Sequence, residues 1–205
     1  RRLSDLNITG YGSFYFALAS IDSAFTAPLL RDWLSSHLSW SKTPARDTSD
    51  RIMAVLKTLH DYQDVSAIPL ITNILQSEAD SGLVYIYLNF MKGSEDYDSA
   101  RPENRKNPFR AALKPAFEKL TRHPSARIRA LALELRCSVE KDRNELLRLL
   151  RLSLQDPAEE MHKSVANLAA RYKTVELKDD FLPVYRKTYN YNLRVVLESW
   201  GVKVD

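Results

Sequence analysis

Cysteine occurs once in the 205 residues, as Cys137. That excludes an intramolecular disulfide and a cysteine-rich metal cluster, and it favours a reducing, intracellular setting. A lone cysteine of this kind is expected to be a small packed residue. Glycine is also scarce, at 5 residues, which disfavours a fold built from tight β-hairpins. The histidines are four, His37, His60, His123 and His162. None lies within one turn of another and no His-Glu-x-x-His is formed, so no zinc-type ligand set is expected. "GYGS" at 10–13 lacks the third glycine and the preceding strand of a dinucleotide loop. Neither a Walker-type nor a Gly-x-Ser-x-Gly sequence occurs, and with them go a phosphate cradle and a nucleophile elbow. No run approaches the ~18 uncharged apolar residues of a membrane span. The opening "RRLSDLN" has no initiator methionine and no apolar signal core, as expected of a chain processed or excised from a longer polypeptide.

The sequence is rich in helix-forming pattern. Hydrophobic residues make up 44% and charged residues 27%, enough for a full core without staples and a balance that argues against disorder. In "TSDRIMAVLKTLHDY" the positions Ile52, Val55, Leu56 and Leu59 share one helical face, with Ser49 a candidate cap, which predicts a helix over 49–60. "QDVSAIPLITNILQ" follows with Ile68, Ile71, Ile74 and Leu75 on one face and Pro69 in the first turn. "SGLVYIYLNFMKG" is β-branched and aromatic, yet it has no partner strand and ends on Gly93, so it reads as a buried helix. At the front, "SFYFALASIDSAF" and "TAPLLRDWLSSHL" make another pair, with Thr26 as cap. After residue 107 come "PFRAALKPAFEKLTR", "SARIRALALELRCS", "RNELLRLLRLSLQ", "AEEMHKSVANLAARYK", "DDFLPVYRKTY" and "NLRVVLESWG", each with an apolar stripe at helical spacing. Between them, "GSEDYDSARPENRKN" is polar and almost without apolar residues. It is expected to be an exposed loop near 93–107, with first tryptic cuts at Arg101, Arg105 or Lys106, separating an N-terminal part (1–92) from a basic repeat part (108–205) of one array.

An internal repeat appears when Pro124 is laid on Pro157, an offset of 33 residues. Leu113 then meets Leu146, Phe117 meets Leu150, Ile128 meets Met161, Ala132 meets Val165 and Leu135 meets Leu168. A weaker copy at an offset of 32 places Leu182, Leu193, Leu197 and Trp200 after Leu150, Met161, Val165 and Leu168, with Tyr189 where the proline was. Repeats of this length signal stacked supersecondary units.

"HDYQDVSAIPLITNIL" and "HPSARIRALALELR" resemble HEAT or armadillo-type helical repeats, over roughly residues 49–173. The Trp-x-x-Leu-Gly and Thr-Pro-Leu-His signatures of tetratricopeptide and ankyrin repeats are missing. The resemblance implies an all-α fold, a right-handed α-α superhelix of about five helical hairpins, in which Ile128, Leu131, Ala132 and Leu135 pack between neighbours while the arginines face water or a partner. It also implies a scaffold for a protein or peptide partner rather than an enzyme, with no cofactor, no metal and no catalytic residue. The alternative is a nucleic-acid-binding member of this class, akin in general form to the helical-repeat DNA glycosylases. Those rely on aromatic and acidic residues near DNA, and Trp33, Trp40 and Trp200 align to no such site.

Charge carries the functional signal. Residues 1–100 hold 8 Lys/Arg against 12 Asp/Glu, residues 101–151 hold 14 against 6, and residues 152–205 hold 8 against 8. In stacked repeats, equivalent positions lie side by side, so Arg122, Arg127, Arg129, Arg148 and Arg151 are the expected partner-binding stripe. Glu134, Glu140, Asp142 and Glu145 are interleaved and are able to neutralise it locally. His60 with Asp61 and Asp64 is read as a solvated inter-helix turn. His123 is read as a turn and capping position because its repeat equivalent is Asp156, and Asp179 and Asp180 as charges favoured at a helix N-terminus.

Overall fold

The computed structural model describes residues 22–37, 46–77, 81–99 and 108–204. Among these residues there are eleven α-helices and no strand, so the chain is all-α. Two compact units divide it, with the boundary between Ala116 and Phe117.

The first unit contains α1 (Ser23–His37), α2 (Arg46–Asp61), α3 (Ile68–Gln76), α4 (Ser81–Ser99) and α5 (Pro108–Ala112). α2 packs against α1 and α4, and its residues Ile52, Met53, Ala54, Val55, Leu56 and Leu59 are all buried. α1 begins earlier than its sequence suggested. The Asp22 carboxylate accepts the Ala24 N–H at 2.9 Å, so Thr26 lies inside the helix and not at its cap. α2 likewise starts ahead of Ser49, at Arg46. α4 runs past Gly93 to Ser99. A mid-helix glycine costs only about 1 kcal/mol, and space is open around its Cα, so nothing forces a stop. The rest of the polar segment with its tryptic sites, the "GYGS" stretch and Trp40 lie outside the described residues. "PFRAALKPAFEKLTR", expected as one helix, is two: α5 ends at Ala112 and α6 (Lys114–Leu120) begins beyond Leu113. Pro115 is the physical reason, since it has no N–H to donate back and its ring crowds the preceding turn.

The unit boundary falls within α6. Beyond it the second unit contains α7 (Ala126–Ser138), α8 (Arg143–Leu154), α9 (Glu159–Tyr172), α10 (Lys178–Thr188) and α11 (Tyr191–Ser199). Asp142 caps α8 by accepting the N–H groups of Asn144 and Glu145, and Asn190 caps α11 by accepting those of Asn192 and Leu193. α9 lies between α7 and α11, and α8 lies beside α10. Alternate helices are therefore neighbours, as in stacked hairpins. α7 is buried nearly all round: Ala130, Leu133, Cys137 and Arg136 are covered along with Ile128, Leu131, Ala132 and Leu135. Arg136 thus faces the interior, contrary to the expectation that the arginines of this helix face water.

All ten residues paired at the 33-residue offset are buried. In the third copy Leu193 and Leu197 are buried at the offset of 32, Trp200 is partly buried, and Leu182 is only partly buried while its neighbour Phe181 is fully so. Leu135→Ala and Leu168→Ala, being equivalents, are each expected to cost roughly 2–4 kcal/mol. Urea unfolding followed by circular dichroism measures this, and a negligible loss at both would reject the register.

Candidate functional site

Two corners of the second unit are built alike. The His123 Nδ1 accepts the Ser125 N–H at 3.0 Å, and the Asp156 Oδ1 accepts the Ala158 N–H at 2.9 Å. Repeat equivalents with different side chains thus serve one turn, each satisfying the donor two residues on. Arg129 ties the two corners together. Its guanidinium donates to the carbonyls of His123 and Pro124 and, through Nε and Nη2, to both Asp156 oxygens at 2.7 and 2.9 Å. Burial by itself would raise the Asp156 carboxyl; the hydrogen bonds from Arg129 and the Ala158 N–H, with the charges of Arg129 and His162, outweigh it and hold the group below its ordinary value.

Arg143 repeats the device at a further pair of corners. It donates to Glu176 at 2.9 and 3.0 Å and to the carbonyls of Tyr172 and Lys173. Arg151 reaches Asp180 at 2.9 Å, Ser164 donates to Glu134 at 2.5 Å, and the Tyr172 hydroxyl donates to the Cys137 carbonyl at 3.3 Å. The partners in these contacts stand 27, 33, 29, 30 and 35 residues apart. The spacing of the polar contacts therefore brackets the 33-residue offset of the apolar register. Arg148 pairs within its own helix with Glu145 at 2.7 Å, and its hydrogen bond holds the Glu145 carboxyl below the ordinary range. Of the five arginines expected to form a stripe, Arg129, Arg148 and Arg151 are engaged in this way. Arg122 and Arg127 are exposed, without an ion-pair partner among the described residues.

Arg136 was not singled out in the sequence, yet it is the most deeply placed arginine of the unit. It donates to Glu140 at 2.5 Å and to Glu145 at 3.3 Å. The other Glu140 oxygen accepts the N–H groups of Lys141 and Asp142, so one buried carboxylate orders the corner between α7 and α8. The signal in sequence was present, since Arg136 and Glu140 are one turn apart.

The first unit holds a second polar cluster. His60 lies inside α2 and not in a solvated turn, buried edge-on to Phe90 and Phe109 with ring centroids 5.3 Å away in each case. Arg110, also buried, donates to the Met91 carbonyl at 2.8 Å, and Tyr87 stacks on Phe90. Burial first, and then the Arg110 charge, lower the His60 pKa to about 4. Burial likewise raises the Tyr87 phenol far above its ordinary value. Asp64 takes no part in this cluster. It accepts from Arg31 and caps the turn at Val65–Ala67, so "HDYQD" does not converge on one centre. Asp180 is spent on Arg151, Trp200 packs on Phe181 with centroids 5.2 Å apart, and Trp33 is half-buried on α1. Among the described residues, no group of three or more His, Cys, Asp or Glu side chains converges as metal ligands, and no helix is long and apolar enough to cross a membrane. Comparison with protein-family models, with curated proteins and with solved structures returns no match.

Proposed function

We propose that the chain is a non-enzymatic scaffold, a right-handed HEAT-like stack of about five helical hairpins within a longer polypeptide, which docks a protein or peptide partner. The observation that carries this reading is the use of Arg129, Arg143 and Arg151 as struts between neighbouring hairpins. A polyanion site needs guanidinium groups able to exchange water for phosphate. Arg129, with four oxygen acceptors already in place, is occupied. Arg129, Arg143 and Arg151 each answer an acid one repeat away, and such pairs rigidify a surface while cancelling their own charge.

The rival reading, duplex DNA bound through Arg122, Arg127, Arg129, Arg148 and Arg151, makes a different prediction. As a scaffold the chain is expected to bind duplex DNA no tighter than ~10⁻⁶ M at physiological salt, the nonspecific range. Fluorescence anisotropy across a salt series measures it. Submicromolar binding, with a log–log salt slope that becomes shallower by about one for each of Arg122→Ala and Arg127→Ala, would overturn the scaffold reading. A stoichiometric protein partner that survives nuclease treatment would support it.

A further inference from the structure

The α10–α11 corner combines features found at neither corner tied by Arg129. Tyr189 and Tyr191 flank it and are 74% and 73% exposed. Tyr189 sits in the left-handed region, φ +51°, as the residue closing α10. Glycine or asparagine is the ordinary occupant of such a position. Lys173, which closes α9, and Gln63 adopt the same conformation, so the position admits a side chain, and at Tyr189 it leaves the ring open to water. The ring is nonetheless held: it meets the buried Tyr185 edge-on, with centroids 6.0 Å apart. Asn190 fixes the other side of the corner by capping α11.

Cations lie close to these tyrosines in the sequence. Arg186 and Lys187 are exposed, with no ion-pair partner among the described residues. Arg194 lies close enough to Tyr185 and Tyr191 to feel both hydroxyls. From Phe181 to Leu197 the sequence has no Asp or Glu, and the acids that bracket this stretch, Asp180 and Glu198, are held by Arg151 and Arg194. Two exposed tyrosine rings beside the unpaired charges of Arg186 and Lys187 match a ligand that alternates flat rings with anionic links. Unpaired bases on a phosphate backbone have that alternation; a duplex hides its base faces and an acidic peptide lacks them.

We propose that the corner formed by Arg186, Lys187, Tyr189 and Tyr191 binds single-stranded nucleic acid by stacking bases on the two tyrosines and pairing phosphates with the two cations. The site is separate from the arginine struts and does not rest on the scaffold reading.

A short fluorescein-labelled oligothymidylate, titrated with the full chain by anisotropy, tests it against a duplex of the same length. The single strand is expected to bind at least about tenfold tighter than the duplex. Tyr189→Asn, which suits the left-handed backbone, and Tyr191→Ala are each expected to weaken binding about tenfold, within the range for loss of one stacked base. Neither should alter the salt slope, and Tyr189→Phe should retain affinity. Arg186→Ala and Lys187→Ala should each make the slope shallower by about 0.7. Equal affinity for duplex and single strand would overturn the proposal. So would binding that depends on the cations and ignores both tyrosine changes in variants that keep the wild-type helical spectrum, since that pattern belongs to any polyanion, acidic proteins included. No detectable binding would overturn it as well.

Discussion

Arg136→Ala is expected to lower the stability of the second unit by about 3–5 kcal/mol, the range for breaking a buried ion pair from one side. The Arg136 side chain is 2% exposed and that of Glu140 is 5% exposed. Truncating the arginine takes the guanidinium away from a desolvated carboxylate that accepts the N–H groups of Lys141 and Asp142. The loss comes from the stranded charge and not from the attraction itself, because ion pairing in the interior largely offsets the cost of dehydration. Arg136→Met combined with Glu140→Gln removes both charges at similar volume, and is expected to cost much less than Arg136→Ala. Denaturant unfolding of the three chains, monitored by far-UV circular dichroism, measures the difference. A loss below about 1 kcal/mol for Arg136→Ala would mean that water reaches this pair, a surface behaviour.

The second large effect is expected in acid. The His60 imidazole titrates at about 4 in the folded chain against an ordinary 6.5, so between these values the unfolded chain binds the extra proton. Its contribution to stability is complete above pH 6.5 and disappears as the pH falls toward 4, amounting to about 3 kcal/mol. The end of α2 should favour a cation there, but burial among Phe90 and Phe109 with Arg110 alongside outweighs that. Carboxylates also titrate in this window, so the comparison is with His60→Gln. From pH 7 to pH 4 the wild-type chain should lose about 3 kcal/mol more than the variant. Parallel stability curves for the two would reject a buried neutral His60.

The apolar half of this architecture was legible in the sequence because a repeat leaves its mark at a fixed offset. Leu113, Phe117, Ile128, Ala132 and Leu135 each found a buried counterpart 33 residues on. The equivalence of His123 and Asp156 identified a shared turn role for the same reason, and both accept an N–H two residues ahead. Helix starts were less legible. A Thr or Ser before an apolar run suggests a cap, but Asp22 stood four residues before Thr26 and competed better. The arginines were the hardest to read. Sequence gives their density, whereas their role depends on which acid the stacking brings alongside, and Asp156, Glu176 and Asp180 are far away along the chain. The exposure of Tyr189 and Tyr191 was hidden for a related reason. The sequence placed Tyr189 at a corner, but its left-handed backbone and the exposure of both rings follow from the fold.

The struts fix how disturbance travels in the second unit. Each joins a hairpin to its immediate neighbour, so a lost contact is felt next door and attenuates beyond. Such a chain behaves like a row of coupled elements, and sequence-local coupling favours rapid folding. α9 touches α7, α8 and α11, which makes it the link whose loss uncouples the most. The α10–α11 pair is tied into this row by Arg151 and by its packing on α8 and α9.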